Sequence, residues 1–185
     1  MVKQSRFKDM IGIGHVALAI TIGIFSLTWY IDVKQNFTRL TIPSFNAYVI
    51  GLFLLAIGGL IWWNAFFVLP LAKRSRCLTR KGVYGFVRHP TYSAIIFCFY
   101  PAIALFMKSK FILLSTLVLY FVFHLLKKKE DKYMIYVFRE EYKEYMDLVP
   151  PFFPKLYNRK VLRKLKNIII PHEGTEGYID LCKKE

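Results

Sequence analysis

Apolar and polar positions fall in long blocks along this chain and not at strand period. Residues 10–31 carry no formal charge and as a helix would extend about 33 Å, enough to cross a hydrocarbon core. Residues 47–69 form a second block of similar length. Two shorter blocks, 91–107 and 111–126, are separated only by Lys108-Ser109-Lys110. Each reaches roughly 25 Å, so tilt or snorkelling lysines would complete a crossing. The pattern predicts an all-α integral membrane protein with about four transmembrane helices. Its three-residue connection makes helices 3 and 4 an antiparallel hairpin. Pro43 is a start signal for the second helix, and Pro90, in the first turn, opens the third.

Beyond residue 126 the period changes. Met134, Val137, Phe138, Tyr142, Tyr145 and Met146 recur every three or four residues, which predicts an amphipathic helix continuing or lying beside helix 4. Val149-Pro150-Pro151-Phe152-Phe153-Pro154 ends it in an extended segment, since proline cannot continue a helix and biases its predecessor away from one. In 159–170, Val161, Leu162, Leu165, Ile168 and Ile169 form one face and Arg159, Lys160, Arg163, Lys164 and Lys166 the other. A helix lying on an anionic leaflet fits this pattern, as does a core-packing helix with a solvated basic face. From Pro171 onward the chain reads as a polar tail. Residues 1–185 are therefore expected to form one membrane domain. Polar segments 70–90 and 127–157 would lie at one face, and 158–185 would be a basic amphipathic tail with cytoplasmic helices.

Charge orients these blocks. Lys and Arg number 3 before the first block, 2 after it, 6 in 70–90, 2 in the short turn and 14 after residue 126. By the positive-inside rule this alternation places both termini and the 70–90 loop in the cytoplasm, as a multi-pass protein. The formal charge of +15 is then mainly topological. Nucleic acid is not an expected partner, because the apolar spans leave no soluble domain to carry that charge; the lipid bilayer is. Cys77, Cys98 and Cys182 are too scattered for a disulfide framework or a zinc site, so reduced thiols and no metal are expected, with Cys98 an apolar filler. His15 reads as a buried polar residue between helices, and His124 as a helix-packing donor or a residue lining the pocket. Trp62, Trp63 and Asn64 read as an interfacial belt or as the lining of a lipophilic entry.

The chemistry-bearing residues concentrate in two places. Arg88, His89 and Tyr92 stand at the entrance of helix 3, with Arg76, Thr79, Arg80, Lys81 and Tyr84 just before them. On composition alone this run is either an interfacial anchor or a site. Glu130 and Asp131 lie just beyond helix 4, and a helix 3–helix 4 hairpin would return them to the same membrane face. Carboxylates beside a cationic cluster would make a charged cleft, holding an anionic group at Arg88 and His89 and a cis-diol or ammonium at Glu130. Arg88 and Glu130 are the candidates for the chemistry itself. S-adenosylmethionine carries a carboxylate, an ammonium and a ribose diol, and transfers its methyl by positioning, without a metal.

Leu78-Thr79-Arg80-Lys81-Gly82-Val83-Tyr84, followed by Arg88-His89-Pro90-Thr91-Tyr92, resembles the signature of the isoprenylcysteine carboxyl methyltransferase and phospholipid methyltransferase group of integral-membrane enzymes. Glu130-Asp131, the run Phe138–Tyr145, Val149-Pro150 and Pro154 resemble its second half, so the likeness covers roughly residues 70–157. The resemblance implies methyl transfer from S-adenosylmethionine to a lipophilic or membrane-associated acceptor of isoprenoid, phospholipid or carboxyl/thiol type. It implies a cytoplasmic cofactor pocket contacted by Arg76, Cys77, Leu78, Thr79, Tyr84, His89, Pro90, Thr91, Tyr92 and Glu130. Ala94 stands where a Gly usually follows the Tyr, Asp131 where a second Glu is usual, and Arg139 where a Gly follows Phe138. Leu126, with Lys127 beside it, occupies a position where the prenylcysteine enzymes have Arg. Two other classes remain open. Sterol-type NADPH reductases are similar around Arg-His-x-Asn-Tyr, where this chain has Thr91. A non-catalytic membrane scaffold of the same fold is the other.

Overall fold

The computed structural model describes residues 2–35, 39–68, 77–154 and 169–171. Four helical segments dominate: α1 (Val2–Gln35), α2 (Ser44–Val68), α3 (Pro90–Phe106) and α4 (Lys110–Leu148). Segments His15–Gln35, Ser44–Val68 and Lys110–Leu148 are long and apolar enough to cross a membrane, whereas Pro90–Phe106 is a shorter apolar helix. In α4 the apolar stretch ends at Leu126, and the polar sequence from Lys127 continues the same helix. The chain divides into two compact units, Met1–Leu60 with Tyr92–Leu126, and Ile61–Thr91 with Lys127–Glu185.

The first unit is held by small residues and by polar groups that satisfy one another. Gly51 lies against the Phe106 ring and Gly58 against Cys98 and Phe99, positions where a Cβ would overlap its neighbour. Contacts between α3 and α4 run in opposite sequence senses. Tyr92 meets Phe123 edge-on at 4.7 Å, Phe97 lies 6.4 Å from Tyr120, and Tyr100 Oη and Ser115 Oγ share a hydrogen bond of 2.9 Å. The middle of α3, Ile95–Phe99, is a turn of π-helix. Helix α3 ends with Lys108 at φ 51°, the Ser109 N–H donating to the Ala104 carbonyl and the Lys108 N–H to that of Leu105. That is a left-handed C-terminal cap built without glycine.

Helix α1 runs past the predicted end at residue 31, through Asp32. That carboxylate is 1 % exposed: Ser109 Oγ donates to its Oδ1 at 2.8 Å and Arg39 Nη1 to its Oδ2 at 2.7 Å. The charge at the end of the apolar block is therefore paired inside the protein and not left in water. Two further expectations are corrected. His15 is exposed and not buried, because the face of α1 around it meets little of the chain. Cys77 is disulfide-bonded, against the expectation of reduced thiols, while Cys98 is free and buried; sequence spacing does not reveal which thiols approach one another.

The second unit corrects the all-α expectation. Cys77–Thr79 (β1) pairs antiparallel with Ile169–Pro171 (β2), with Leu78 opposite Ile170. Ile169, placed on the apolar face of a tail helix by its periodicity, therefore belongs to a strand; the rest of the basic tail lies outside the described residues. Leu78 is buried in a cluster with Phe138, Tyr142, Tyr145 and Val149, which are apolar positions of the predicted amphipathic helix and the residue that ends it. That helix is interrupted at Arg139, whose φ of 48° and ψ of −122° are not helical.

Candidate functional site

Three segments of the second unit build the site: the strand and turn at 77–91, the α4 extension from Lys127, and Val149–Pro154. Local sequence explains their junction. Pro150 and Pro151 have no N–H and hold the chain extended, so their carbonyls are free to accept from another segment. The Arg88 N–H donates to the Pro150 carbonyl at 2.9 Å and the His89 N–H to that of Pro151 at 3.0 Å. Pro90 then opens α3, which fixes where Arg88 and His89 leave the turn.

Upstream, Gly82 adopts φ 56° and sits against Asn64 and Val68, where a side chain would collide. Asn64 Oδ1 accepts the Val83 N–H at 3.2 Å, so this residue caps the Gly82–Gly85 turn. The turn places Tyr84 beside Cys77 and Ala65. Tyr145 Oη donates to the Tyr84 carbonyl at 2.6 Å, and Arg80 Nη2 to the Glu141 carbonyl at 2.8 Å. These two bonds tie the turn to the helix beyond the Arg139 break.

At the centre lies Asp131, only 6 % exposed. Its Oδ1 accepts from Arg88 Nη1 at 3.0 Å, His89 Nε2 at 3.1 Å and Tyr142 Oη at 2.6 Å. Arg88 also donates through Nε to the Val149 carbonyl at 2.8 Å. His89 Nδ1 faces a second carboxylate, lying 3.2 Å from Glu130 Oε2. Oε2 is itself buried, while the Glu130 side chain as a whole stays partly exposed. Lys127 Nζ lies 5.8 Å from the centroid of Phe152, and that ring is 6.1 Å from the His89 ring.

Charge states follow from this packing. Burial alone would lower the His89 pKa, but its contacts with Asp131 and Glu130 outweigh that and raise it above the ordinary 6.5. Burial would raise Asp131, yet His89, Tyr142 and Arg88 bring it from 3.8 down to about 2. Burial and the adjacent Asp131 charge push the Tyr142 phenol up, so it stays a donor. The result is a His89 ring whose charged form is favoured by the two carboxylates that flank it, with Arg88 sharing Asp131.

Of the residues singled out in the sequence, His89 and Glu130 come within ion-pair distance and Arg88 reaches them through Asp131. Cys77, Leu78, Thr79 and Tyr84 are buried just upstream, as is Pro90, while Thr91 is partly buried. Tyr92 belongs to the first unit, packed on Phe123, and Arg76 lies outside the described residues. Asn64, Tyr142 and Tyr145 were not singled out as site residues. Helical periodicity marks the two tyrosines as core, and only a polar atom on an apolar stripe hints at more.

A family model described as phospholipid methyltransferase matches residues 46–141, just over half of the chain. The chain belongs to the phospholipid methyltransferase family. The match takes in Asn64, the 77–91 segment, Glu130 and Asp131, and ends next to Tyr142. It gives the chain the methyltransferase class and does not favour the reductase reading. Neither the curated proteins nor the solved structures include a match.

Proposed function

We propose that this family member transfers a methyl group from S-adenosylmethionine to a lipophilic or membrane-associated acceptor of isoprenoid, phospholipid or carboxyl/thiol type. The observation that carries the reading is Glu130, a carboxylate held by an ion pair from its buried Oε2 to the His89 ring while its side chain stays partly exposed. A carboxylate fixed in this way and still partly exposed suits a ligand that brings hydroxyl or ammonium donors. Arg88, paired with the neighbouring Asp131, adds the positive charge that an anionic ligand group requires. Cys77, Leu78, Thr79, Tyr84, His89, Pro90, Thr91 and Tyr92 are the further residues we assign to the cofactor, together with Arg76. When bound, S-adenosylmethionine supplies an electrophilic methyl on a sulfonium. The chain's own contribution is to hold donor and acceptor groups in register with a preset charge pattern.

In this reading the chain crosses the membrane four times, through a helix 3–helix 4 hairpin, with both termini cytoplasmic. The test is transfer of label. Membranes containing the protein, incubated with methyl-labelled S-adenosylmethionine and then extracted for lipids, should yield a labelled lipid that membranes with Glu130→Ala do not. Label confined to the aqueous phase and to unextracted protein would contradict the assignment of a lipophilic acceptor.

A further inference from the structure

Asp131 and Tyr142 carry no assigned role, yet they make the shortest and most heavily shared contacts of the site. One carboxylate oxygen takes three donors while the other oxygen of the same group takes none of them. A carboxylate serving only to neutralise Arg88 would have no need to share that oxygen with a histidine. Tyr142 is brought there by the break at Arg139, which redirects the helix beyond it, and Tyr145 anchors the same turn to Tyr84.

We propose that Asp131 and Tyr142 are positioning residues that hold the His89 ring with its Nδ1 edge toward Glu130, so that the ring fixes the Glu130 carboxylate through its buried Oε2 while the rest of that side chain stays partly exposed to a ligand. Several titratable groups among the described residues face His89. Glu130 and Asp131 come from α4, Tyr142 from beyond the break, and Arg88 from its own segment; Phe152 closes another side. Tyr142 donates to the shared oxygen and so helps keep Asp131 ionised and fixed in orientation toward Arg88 and the ring. Removing the Asp131 charge leaves His89 with one carboxylate in place of two, and the ring's charged form becomes harder to keep in a buried position. The effect then reaches Glu130 through the His89 ring that lies between the two carboxylates.

The geometric part stands without any ligand; the statement that Glu130 serves the cofactor rests on the proposed function. Side-chain NMR of isotope-labelled histidine, in detergent and without cofactor, follows the His89 titration directly, with the signal assigned by its loss in His89→Gln. Asp131→Asn should lower the His89 midpoint by about one pH unit or more. Tyr142→Phe, which removes one hydroxyl from a buried ring, should lower it by less, and Asp131→Glu should restore part of the shift. S-adenosylmethionine titrations across pH should show the alkaline loss of affinity moving down with the same order of variants. A midpoint unmoved in both Asp131→Asn and Tyr142→Phe would overturn the proposal, and should Asp131→Asn fail to fold, Tyr142→Phe decides it alone. Absence of binding by the wild-type protein would instead overturn the cofactor assignment, with the His89 midpoints still deciding the positioning role.

Discussion

Among the described residues two aspartates are buried, one in each unit, and they are satisfied in opposite ways. Asp32 spends its two oxygens separately, one on Ser109 and one on Arg39. The loop after α1 is tied to the turn before α4 by the same groups, with the Leu40 N–H donating to the Lys108 carbonyl at 2.7 Å. Nothing in that arrangement faces a ligand; it is a closed clasp. Asp131 instead gathers three donors on one oxygen, and one of them, His89, turns its other edge to Glu130, whose side chain is still partly exposed. Burial and charge alone do not distinguish a structural aspartate from one in a site. What distinguishes them is whether the network ends on itself or on a side chain that still reaches solvent.

The largest expected effect comes from cutting the open network. Asp131→Ala leaves Arg88 and the His89 ring as buried charges without their main partner and should cost about 3–5 kcal/mol, read by thermal unfolding in detergent. The closed clasp should be weaker. Asp32→Ala strands the fully buried Ser109 hydroxyl, but Arg39 is half exposed and can return to water, so about 1–3 kcal/mol is expected. If Asp32→Ala proves the more damaging of the two, the contrast drawn here fails.

The two networks should also differ in pH response, since titrating groups with shifted pKa values lie in the second. Asp131 is lowered from 3.8 to about 2, so its contribution is present above pH 3.8 and is lost as pH falls toward 2. His89 is raised above 6.5, so its contribution is complete below pH 6.5 and is lost as pH rises through the raised value. Melting temperature against pH should therefore decline on both sides of that window, and His89→Gln should remove the alkaline decline.

Arg139 gives a smaller effect of opposite sign. Its φ of 48° lies in a region that suits glycine, where a side chain costs of order 1–3 kcal/mol. Glycine adds back roughly 0.5–1 kcal/mol in lost chain entropy, so Arg139→Gly should raise stability by about 1 kcal/mol. Destabilisation would mean that the break is not intrinsic to the folded helix. Smallest of all, Glu140→Ala removes an exposed ion pair with Lys143 and should change melting by no more than about 0.5 kcal/mol.

The apolar blocks were legible because burial in lipid demands an unbroken run of such residues, and the helix beyond Leu126 was legible because one face is apolar at helical period. His89 and Glu130 could be paired from sequence only through the short turn at Lys108, which brings distant segments back together. The Asp131 network could not be read this way. Tyr142 has the same spacing as its core neighbours, and its hydroxyl reaches Asp131 only because the helix breaks at a residue that is not glycine. The strand at Ile169–Pro171 was hidden for a related reason. A short run of isoleucines beside basic residues satisfies helical period, and only a partner strand at Cys77–Thr79 selects the extended form. Asp32 looked like a loop residue because a lone charge after an apolar block ends a span unless a partner waits inside the protein.

The central claim is that the second unit holds S-adenosylmethionine against Glu130. Calorimetric titration of the purified protein in detergent tests it most directly. The account predicts saturable binding that Glu130→Ala weakens at least tenfold, about 1.4 kcal/mol, while the Asp32→Ala protein, where folded, binds as the wild type does. Binding of NADPH in place of S-adenosylmethionine, or S-adenosylmethionine binding indifferent to Glu130→Ala, would contradict it.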